Sequence, residues 1–184
     1  TGQIVVHPAH RRRGIGSALL AALPEPVVWA FGDLPPAHAF AAASDTRPVR
    51  ELLVMGRSLP ADVGGTLPDG LALTGWTDAA RAAFLAVNAR AFAHHPEQGA
   101  FGTEDLAARQ AEGWWDPDGL LLAWDAEGLA GFHWTKIHPD GRGEVYVIGV
   151  DPRAEGRGIG RGLLQAGLDR LAAQGCPEVF LYVD

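Results

Sequence analysis

The chain has 184 residues, of which 47% are hydrophobic, and a formal net charge of −7. This length suits one large or two small domains, and the composition predicts a soluble globular protein. The acidic balance argues against a general nucleic-acid-binding protein, and no apolar run is long enough to span a membrane. Cys176 is the single cysteine, so an intrachain disulfide is excluded and a cytoplasmic protein is expected.

The first part of the chain predicts short strands that alternate with helices. Apolar runs predict strands at 3–6, 27–31 and 49–55, and helical spacing predicts helices at 13–23 and 36–44. Glycines and prolines then accumulate, which favours a linker at 61–70. We therefore expect one unit at 1–60 and a second at 71–184.

The second part of the chain predicts one strand, two helices, a three-stranded meander, a long helix and a final strand. The hydrophobic periodicity gives strands at 71–73, 120–124, 129–136, 144–150 and 178–183, and helices at 78–92, 103–114 and 157–174. The strands at 120–124 and 129–136 are expected to form a hairpin about residues 125–128, where a glycine closes the turn.

A glycine-rich loop occurs twice, at a constant offset and without a gap. Val6, Pro8, Arg13, Gly14, Ile15 and Gly16 match Val150, Pro152, Arg157, Gly158, Ile159 and Gly160. Each copy follows an apolar run and opens a helical pattern, which places free backbone N–H groups at a helix N-terminus. Such a loop is suited to hold a diphosphate.

The repeat resembles the phosphate-binding loop of the GNAT acyl-CoA N-acyltransferases, which follows the pattern Gln/Arg-x-x-Gly-x-Gly/Ala. Residues 11–16 fit it, whereas Glu155 departs at the first position of the second copy and leaves only the backbone cradle intact there. The resemblance implies an α/β (α+β) fold, a mixed central sheet flanked by helices, built as two tandem modules.

The same resemblance implies which residues hold acetyl-CoA, with the strand before each loop pairing with the pantetheine arm. The expected cofactor-binding residues of the second copy are Ile148, Gly149, Val150, Glu155, Gly156, Arg157, Gly158, Ile159, Gly160 and Arg161. Those of the first copy are Ile4, Val5, Val6, Arg12, Arg13, Gly14, Ile15, Gly16 and Ser17.

Further segments are similar to the mycothiol synthases, a family of tandem GNAT enzymes from actinobacteria. The similar segments are 95–99, 132–136, 143–152 and 181–183. The resemblance implies acetylation of the cysteinyl amine of cysteinyl-glucosaminyl-inositol, the last step of mycothiol biosynthesis. It also implies that both modules are incomplete here, that the full-length protein is a monomer, and that a general-acid tyrosine lies beyond Asp184.

Glu144 is the expected catalytic residue and also a substrate contact. It precedes the cofactor strand, and a period of two puts Glu144, Tyr146 and Ile148 on one face, where a carboxylate could accept the amine proton. An exposed strand glutamate is the alternative. The first copy offers Gln3 and no counterpart of Glu144, so its module is expected to be a cofactor-binding relic or a structural partner.

The resemblance also implies that Glu97, Lys136 and Tyr182 contact the polyol acceptor. Lys136 is the only lysine of the chain. Each of the three has an ordinary alternative: a loop carboxylate, a strand-end charge and a half-buried aromatic. We expect no metal site, because His94 and His95 point apart and lack a third ligand at a suitable spacing.

Two other functions stay open from the sequence. One is a GNAT enzyme with another amine acceptor, such as an aminoglycoside or a protein N-terminus. The other is a non-catalytic acyl-CoA-binding module. A dinucleotide-binding Rossmann domain is disfavoured, because the glycines follow a meander and not a βαβ unit.

Overall fold

A computed structural model describes residues 2–24, 27–95 and 98–183. The chain divides into two compact units, Thr1–Glu51 and Leu52–Asp184. In the first unit, the helices α1 (Ile15–Ala21) and α2 (Pro35–Ala43) confirm the two predicted helices; α1 is shorter than predicted, and α2 is shifted by one residue.

The strands predicted at 3–6 and 27–31 do not form. Within the described part of the first unit, one isolated parallel bridge joins Gly2 and Val28. A strand needs a continuous hydrogen-bonded neighbour, and these apolar runs lack one beyond that bridge. Hydrophobicity alone therefore overestimated the strand content here.

The two compact units meet at 51/52. The strand β1 (Leu53–Ser58), predicted earlier in the chain as part of the first module, pairs with the last strand of the second unit. The expected linker is also anchored to that unit: the backbone N–H of Val63 donates to Gln165 Oε1 at 2.7 Å, and Gln165 Nε2 donates to the Ala61 carbonyl at 3.0 Å. The assignment of 1–60 and 71–184 to two modules stays a prediction.

The second unit contains a six-stranded sheet in the order β1-β6-β5-β4-β3-β2. The remaining strands are β2 (Ala72–Thr74), β3 (Leu120–Asp125), β4 (Gly128–Ile137), β5 (Gly143–Val150) and β6 (Glu178–Val183). All neighbours are antiparallel except β5 and β6, which are parallel. The predicted hairpin about 125–128 is confirmed as β3 and β4.

Helices cover both faces of this sheet. α3 (Arg81–Ala91) and α4 (Thr103–Gln110) lie over an aromatic core on one face, which includes Phe84, Phe132 and Trp134. α5 (Ile159–Ala173) packs on the other face through its leucines. Because both faces are covered, the central strand β4 is buried over most of its length. Among the described residues, no helix is both long and apolar enough to cross a membrane.

His133 lies in the interface between β4 and α5. Its ring is fully buried, and Nδ1 lies 2.8 Å from the Leu163 carbonyl oxygen, to which the neutral imidazole donates. The ring fits because residue 167 is glycine: a Cβ there would come within 2.1 Å of the imidazole. Burial lowers the pKa of His133 to about 4.

This buried imidazole predicts acid sensitivity of the second unit. The unfolded chain takes up a proton on His133 near its ordinary pKa of 6.5, whereas the folded protein does not until about pH 4. Stability is therefore fully present above pH 6.5 and falls between pH 6.5 and 4, by on the order of 3 kcal/mol. Urea unfolding across this pH range measures the effect.

His133→Asn is the matched control, because the asparagine amide lies where Nδ1 lies but does not titrate. We expect the variant to be less stable at pH 7 and to show a flatter pH dependence between 6.5 and 4. An equally steep dependence in the variant would contradict this account of His133.

Candidate active site

A gap opens in the sheet between β5 and β6. The two strands pair only at Gly143 with Val179 and at Glu144 with Phe180. Beyond Glu144, β5 keeps its partner β4 but has no further pairing with β6 among the described residues. The backbone groups of Ile148–Val150 that face the gap therefore have no strand partner there and could pair with an extended ligand.

The second glycine loop follows β5 directly and leads into α5. Gly156 and Gly158 have φ angles of +74° and +81°, which side chains other than glycine rarely adopt. Gly158 caps α5 and offers no side-chain acceptor, so the first N–H groups of the helix have no partner within it. Unpaired N–H groups and the helix dipole favour an anion at this position.

The first glycine loop has the same backbone conformation. Gly14 (φ 78°, ψ −3°) matches Gly158 (φ 81°, ψ 3°), and Arg11 (φ −66°, ψ 162°) matches Glu155 (φ −62°, ψ 158°). The sequence repeat is thus also a structural repeat. Its copies differ at one left-handed position, where the first has Arg12 at φ 60° and the second has glycine.

The arginine of the second loop is held away from the loop backbone. Arg157 Nη1 lies 2.8 Å from Asp125 Oδ2, and Arg153 binds the same carboxylate through both terminal nitrogens at 3.0 Å. Hydrogen bonds from Arg153 first, and then from Arg157, hold the pKa of Asp125 well below its usual range. This cluster fastens the start of the loop to the β3–β4 hairpin.

The prediction that Glu144, Tyr146 and Ile148 lie on one face of the sheet is wrong. The pairing of β5 with β4 shifts between Trp134 and Thr135, so that Tyr146 is an extra residue in β5. After this bulge, Tyr146 packs with the aromatic core under α3 and α4, while Ile148 packs on the α5 side. The bulge breaks the period of two, and Glu144 shares its face with Tyr146 only.

Glu144 is buried at the point where the gap opens. It is 5% exposed, and its Oε2 lies 2.6 Å from Nε2 of His138. Lys136 is its direct neighbour across the β4–β5 pair. The structure therefore brings together two of the expected site residues, and it makes Glu144 a buried carboxylate and not an exposed strand glutamate.

The Lys136 ammonium lies on aromatic rings and does not extend freely into solvent. Its Nζ is 4.6 Å from the ring centroid of Trp114 and 5.4 Å from that of Tyr146. The Tyr146 hydroxyl accepts a hydrogen bond from Arg109 Nε at 2.7 Å. Burial raises the pKa of Tyr146 although Arg109 opposes the shift, so the phenol stays neutral.

Tyr182 and Glu97 are the two other expected substrate contacts. Tyr182 on β6 is 52% exposed, and its ring meets that of Phe180 edge-on at 5.7 Å. Because Phe180 pairs with Glu144, Tyr182 continues the same face of the sheet. Glu97 lies outside the described residues. Its neighbour Gln98 exchanges two hydrogen bonds of 2.8 Å with the buried Asn88 of α3.

Sequence reasoning missed His138, Arg109 and the role of Trp114. A signal existed for His138, because a Pro-Asp-Gly turn follows it and brings it back toward Glu144. No comparable signal exists for Arg109, which meets Tyr146 only through the tertiary fold. Among the described residues, no group of three or more His, Cys, Asp and Glu side chains could hold a metal ion.

A family model described as the Acetyltransferase (GNAT) family matches residues 87–184. The match spans the gap, Glu144 and the second glycine loop. This chain belongs to the GNAT acetyltransferase family.

Relatives named mycothiol acetyltransferase are similar to this GNAT chain along its whole length. The protein of that name from Thermomonospora curvata is 54% identical, over 100% of this chain and 65% of its own length. The one from Catenulispora acidiphila is 49% identical, over 100% of this chain and 64% of its own length. The chain thus spans about two thirds of the length of these relatives.

Solved GNAT structures share the fold. A GCN5-related N-acetyltransferase from Sphaerobacter thermophilus superimposes with a TM-score of 0.72 at 23% identity, over 97% of this chain and 62% of its own. A tandem GNAT protein from the clavulanic acid biosynthesis pathway superimposes with a TM-score of 0.65 at 20% identity, over 98% of this chain and 65% of its own. A GNAT acetyltransferase from Brucella melitensis in complex with acetyl-CoA superimposes with a TM-score of 0.53 at 20% identity, over 60% of this chain and 74% of its own.

The left-handed glycine at the start of α5 predicts a specific cost of substitution. A Cβ on Gly158 would meet no atom within 4 Å, so Gly158→Ala strains only the backbone and should destabilise by about 1–2 kcal/mol. Gly113→Ala is the control, because Gly113 has equal space and no positive φ. Urea unfolding compares the two, and equal stabilities would show that the loop conformation is not under this constraint.

Proposed function

We propose that this chain carries the acetyl-transfer site of a mycothiol acetyltransferase, acting on the cysteinyl amine of cysteinyl-glucosaminyl-inositol. The observation that carries the proposal is the buried Glu144 at the mouth of the β5–β6 gap, opposite Lys136. The whole-chain similarity to proteins of that name supports the choice of acceptor.

The second glycine loop is the proposed acetyl-CoA site. The free edge of Ile148–Val150 suits the amide groups of the pantetheine arm, and the backbone of residues 155–161 suits the pyrophosphate. The bound acetyl-CoA supplies the thioester that is cleaved. The crystal structure of the Brucella melitensis GNAT protein in complex with acetyl-CoA supports this choice of donor.

Glu144 is the proposed general base. Its carboxylate accepts the proton that the acceptor ammonium loses, directly or through a water molecule, and the nitrogen lone pair can then attack the thioester carbon. The C–N bond forms as the C–S bond breaks, and the thiolate leaves to be protonated. Burial of Glu144 keeps its carboxylate in a fixed place beside the gap.

Lys136, Tyr182 and Glu97 are the proposed contacts to the polyol part of the acceptor. Lys136 lies opposite Glu144 and keeps its N–H donors while the rings of Trp114 and Tyr146 hold its position. Tyr182 presents an exposed hydroxyl on the same face. Both can donate hydrogen bonds to sugar or inositol oxygens.

The first glycine loop is proposed to be a structural partner or a cofactor-binding relic. The backbone angles of Arg11 and Gly14 repeat those of the second loop, but their unit has no carboxylate that corresponds to Glu144. The strand that would pair with a pantetheine arm is also absent among the described residues of that unit. Catalysis is therefore assigned to the second loop.

Glu144→Gln tests the proposed function. Removing the base should lower turnover by about 10²–10⁴-fold, while acetyl-CoA binding stays unchanged because the loop is intact. Thiol release with acetyl-CoA and cysteinyl-glucosaminyl-inositol measures turnover, and calorimetry measures binding. Glu178→Gln, which removes an exposed carboxylate of the adjacent strand, is the control.

Full turnover by Glu144→Gln would contradict the assignment of Glu144 as the general base. A folded, full-length protein that binds acetyl-CoA but releases no thiol with this acceptor would contradict the proposed substrate. That outcome would favour another amine acceptor or a non-catalytic acyl-CoA-binding module.

A further inference from the structure

A tight turn fixes His138 beside Glu144. The backbone N–H of His138 donates to the Arg142 carbonyl, and that of Gly141 donates to the His138 carbonyl, both at 2.9 Å. Gly141 takes a φ of +84°, and Asp140 accepts hydrogen bonds from Arg142 through both carboxylate oxygens. The turn therefore joins β4 to β5 in one conformation, with His138 at the end of β4.

A contact with an aromatic ring also holds the His138 imidazole in place. It lies against the Phe180 ring, with centroids 5.1 Å apart and an interplanar angle of 40°. Phe180 is itself fixed, because it pairs with Glu144 in the β5–β6 ladder and the Arg142 guanidinium lies over its ring, 4.8 Å from the centroid. The imidazole thus lies in a fixed position between the gap and the turn.

The contact engages one oxygen of Glu144 and leaves the other available. His138 Nε2 lies 2.6 Å from Oε2. Among the described residues, Oε1 makes no hydrogen bond, and it is not one of the fully buried unsatisfied atoms. The His138 side chain is 24% exposed and that of Glu144 is 7% exposed, so the ring also shields the carboxylate from solvent.

We propose that His138 is a positioning residue for Glu144. The imidazole donates its Nε2 hydrogen to Oε2, which fixes the carboxylate plane and turns Oε1 toward the incoming amine. Oε1 takes the proton that the amine loses and returns it to water after the product leaves. His138 keeps its own proton throughout. This inference rests on the proposed function.

Two amide substitutions separate positioning from packing. In His138→Gln the amide nitrogen can lie where Nε2 lies and donate to Oε2, whereas in His138→Asn it lies where Nδ1 lies and cannot reach. We expect His138→Asn to lower kcat by about 10–100-fold, because a small displacement of a catalytic group has such effects. The KM for acetyl-CoA should stay unchanged, and His138→Gln should retain most of the kcat.

A double-mutant cycle identifies the residue through which His138 acts. If His138 acts through Glu144 alone, His138→Asn should cause no further loss in the Glu144→Gln background. Equal losses for His138→Gln and His138→Asn, or an undiminished loss in the Glu144→Gln background, would overturn the proposal.

Nitrogen-15 NMR of the histidine rings of the full chain tests the contact without turnover. The His138 signal, assigned by its absence in His138→Gln, should report a single tautomer with hydrogen on Nε2. In Glu144→Leu it should report a mixture of tautomers. A mixture in the unaltered protein, or hydrogen on Nδ1, would overturn the proposal. Absence of turnover with the polyol acceptor would instead overturn the proposed function and leave the NMR result standing.

Discussion

Two parallel pairings, Gly143 with Val179 and Glu144 with Phe180, set the geometry on which the site depends. They hold β5 against β6 at one end and let the strands part beyond it. Gly143 lets α5 pack closely on this end of β5, because a Cβ there would come within 2.8 Å of the Leu171 side chain. The carboxylate that we assign as base is thus the last paired residue of the strand, and the free backbone edge begins directly after it.

Neighbouring side chains hold the charged groups near the gap in place. Asp125 fastens the arginines of the second glycine loop to the β3–β4 hairpin, and aromatic rings carry the Lys136 ammonium. Such preorganisation matters because a group that is already oriented costs little to use when the reaction occurs. The Arg157 side chain binds the hairpin, while the first backbone N–H groups of α5 have no partner within the helix.

Local patterns predicted the features that depend on short stretches of chain. The β3–β4 hairpin, the long helix α5 and the repeated glycine loop could all be predicted, because turn residues and hydrophobic periods specify them locally. The orientation of Ile148 could not, because the bulge at Tyr146 arises from pairing with β4. The partner of β1 is likewise a long-range choice, and Glu97 lies outside the described residues.

The central claim is that acetyl-CoA occupies the gap and the second glycine loop. Amide hydrogen exchange with and without acetyl-CoA tests it directly, because each residue reports for itself. We predict new protection at residues 146–150 and 156–161 and little change at residues 12–17. Protection at residues 12–17 alone, or none along β5, would contradict the account.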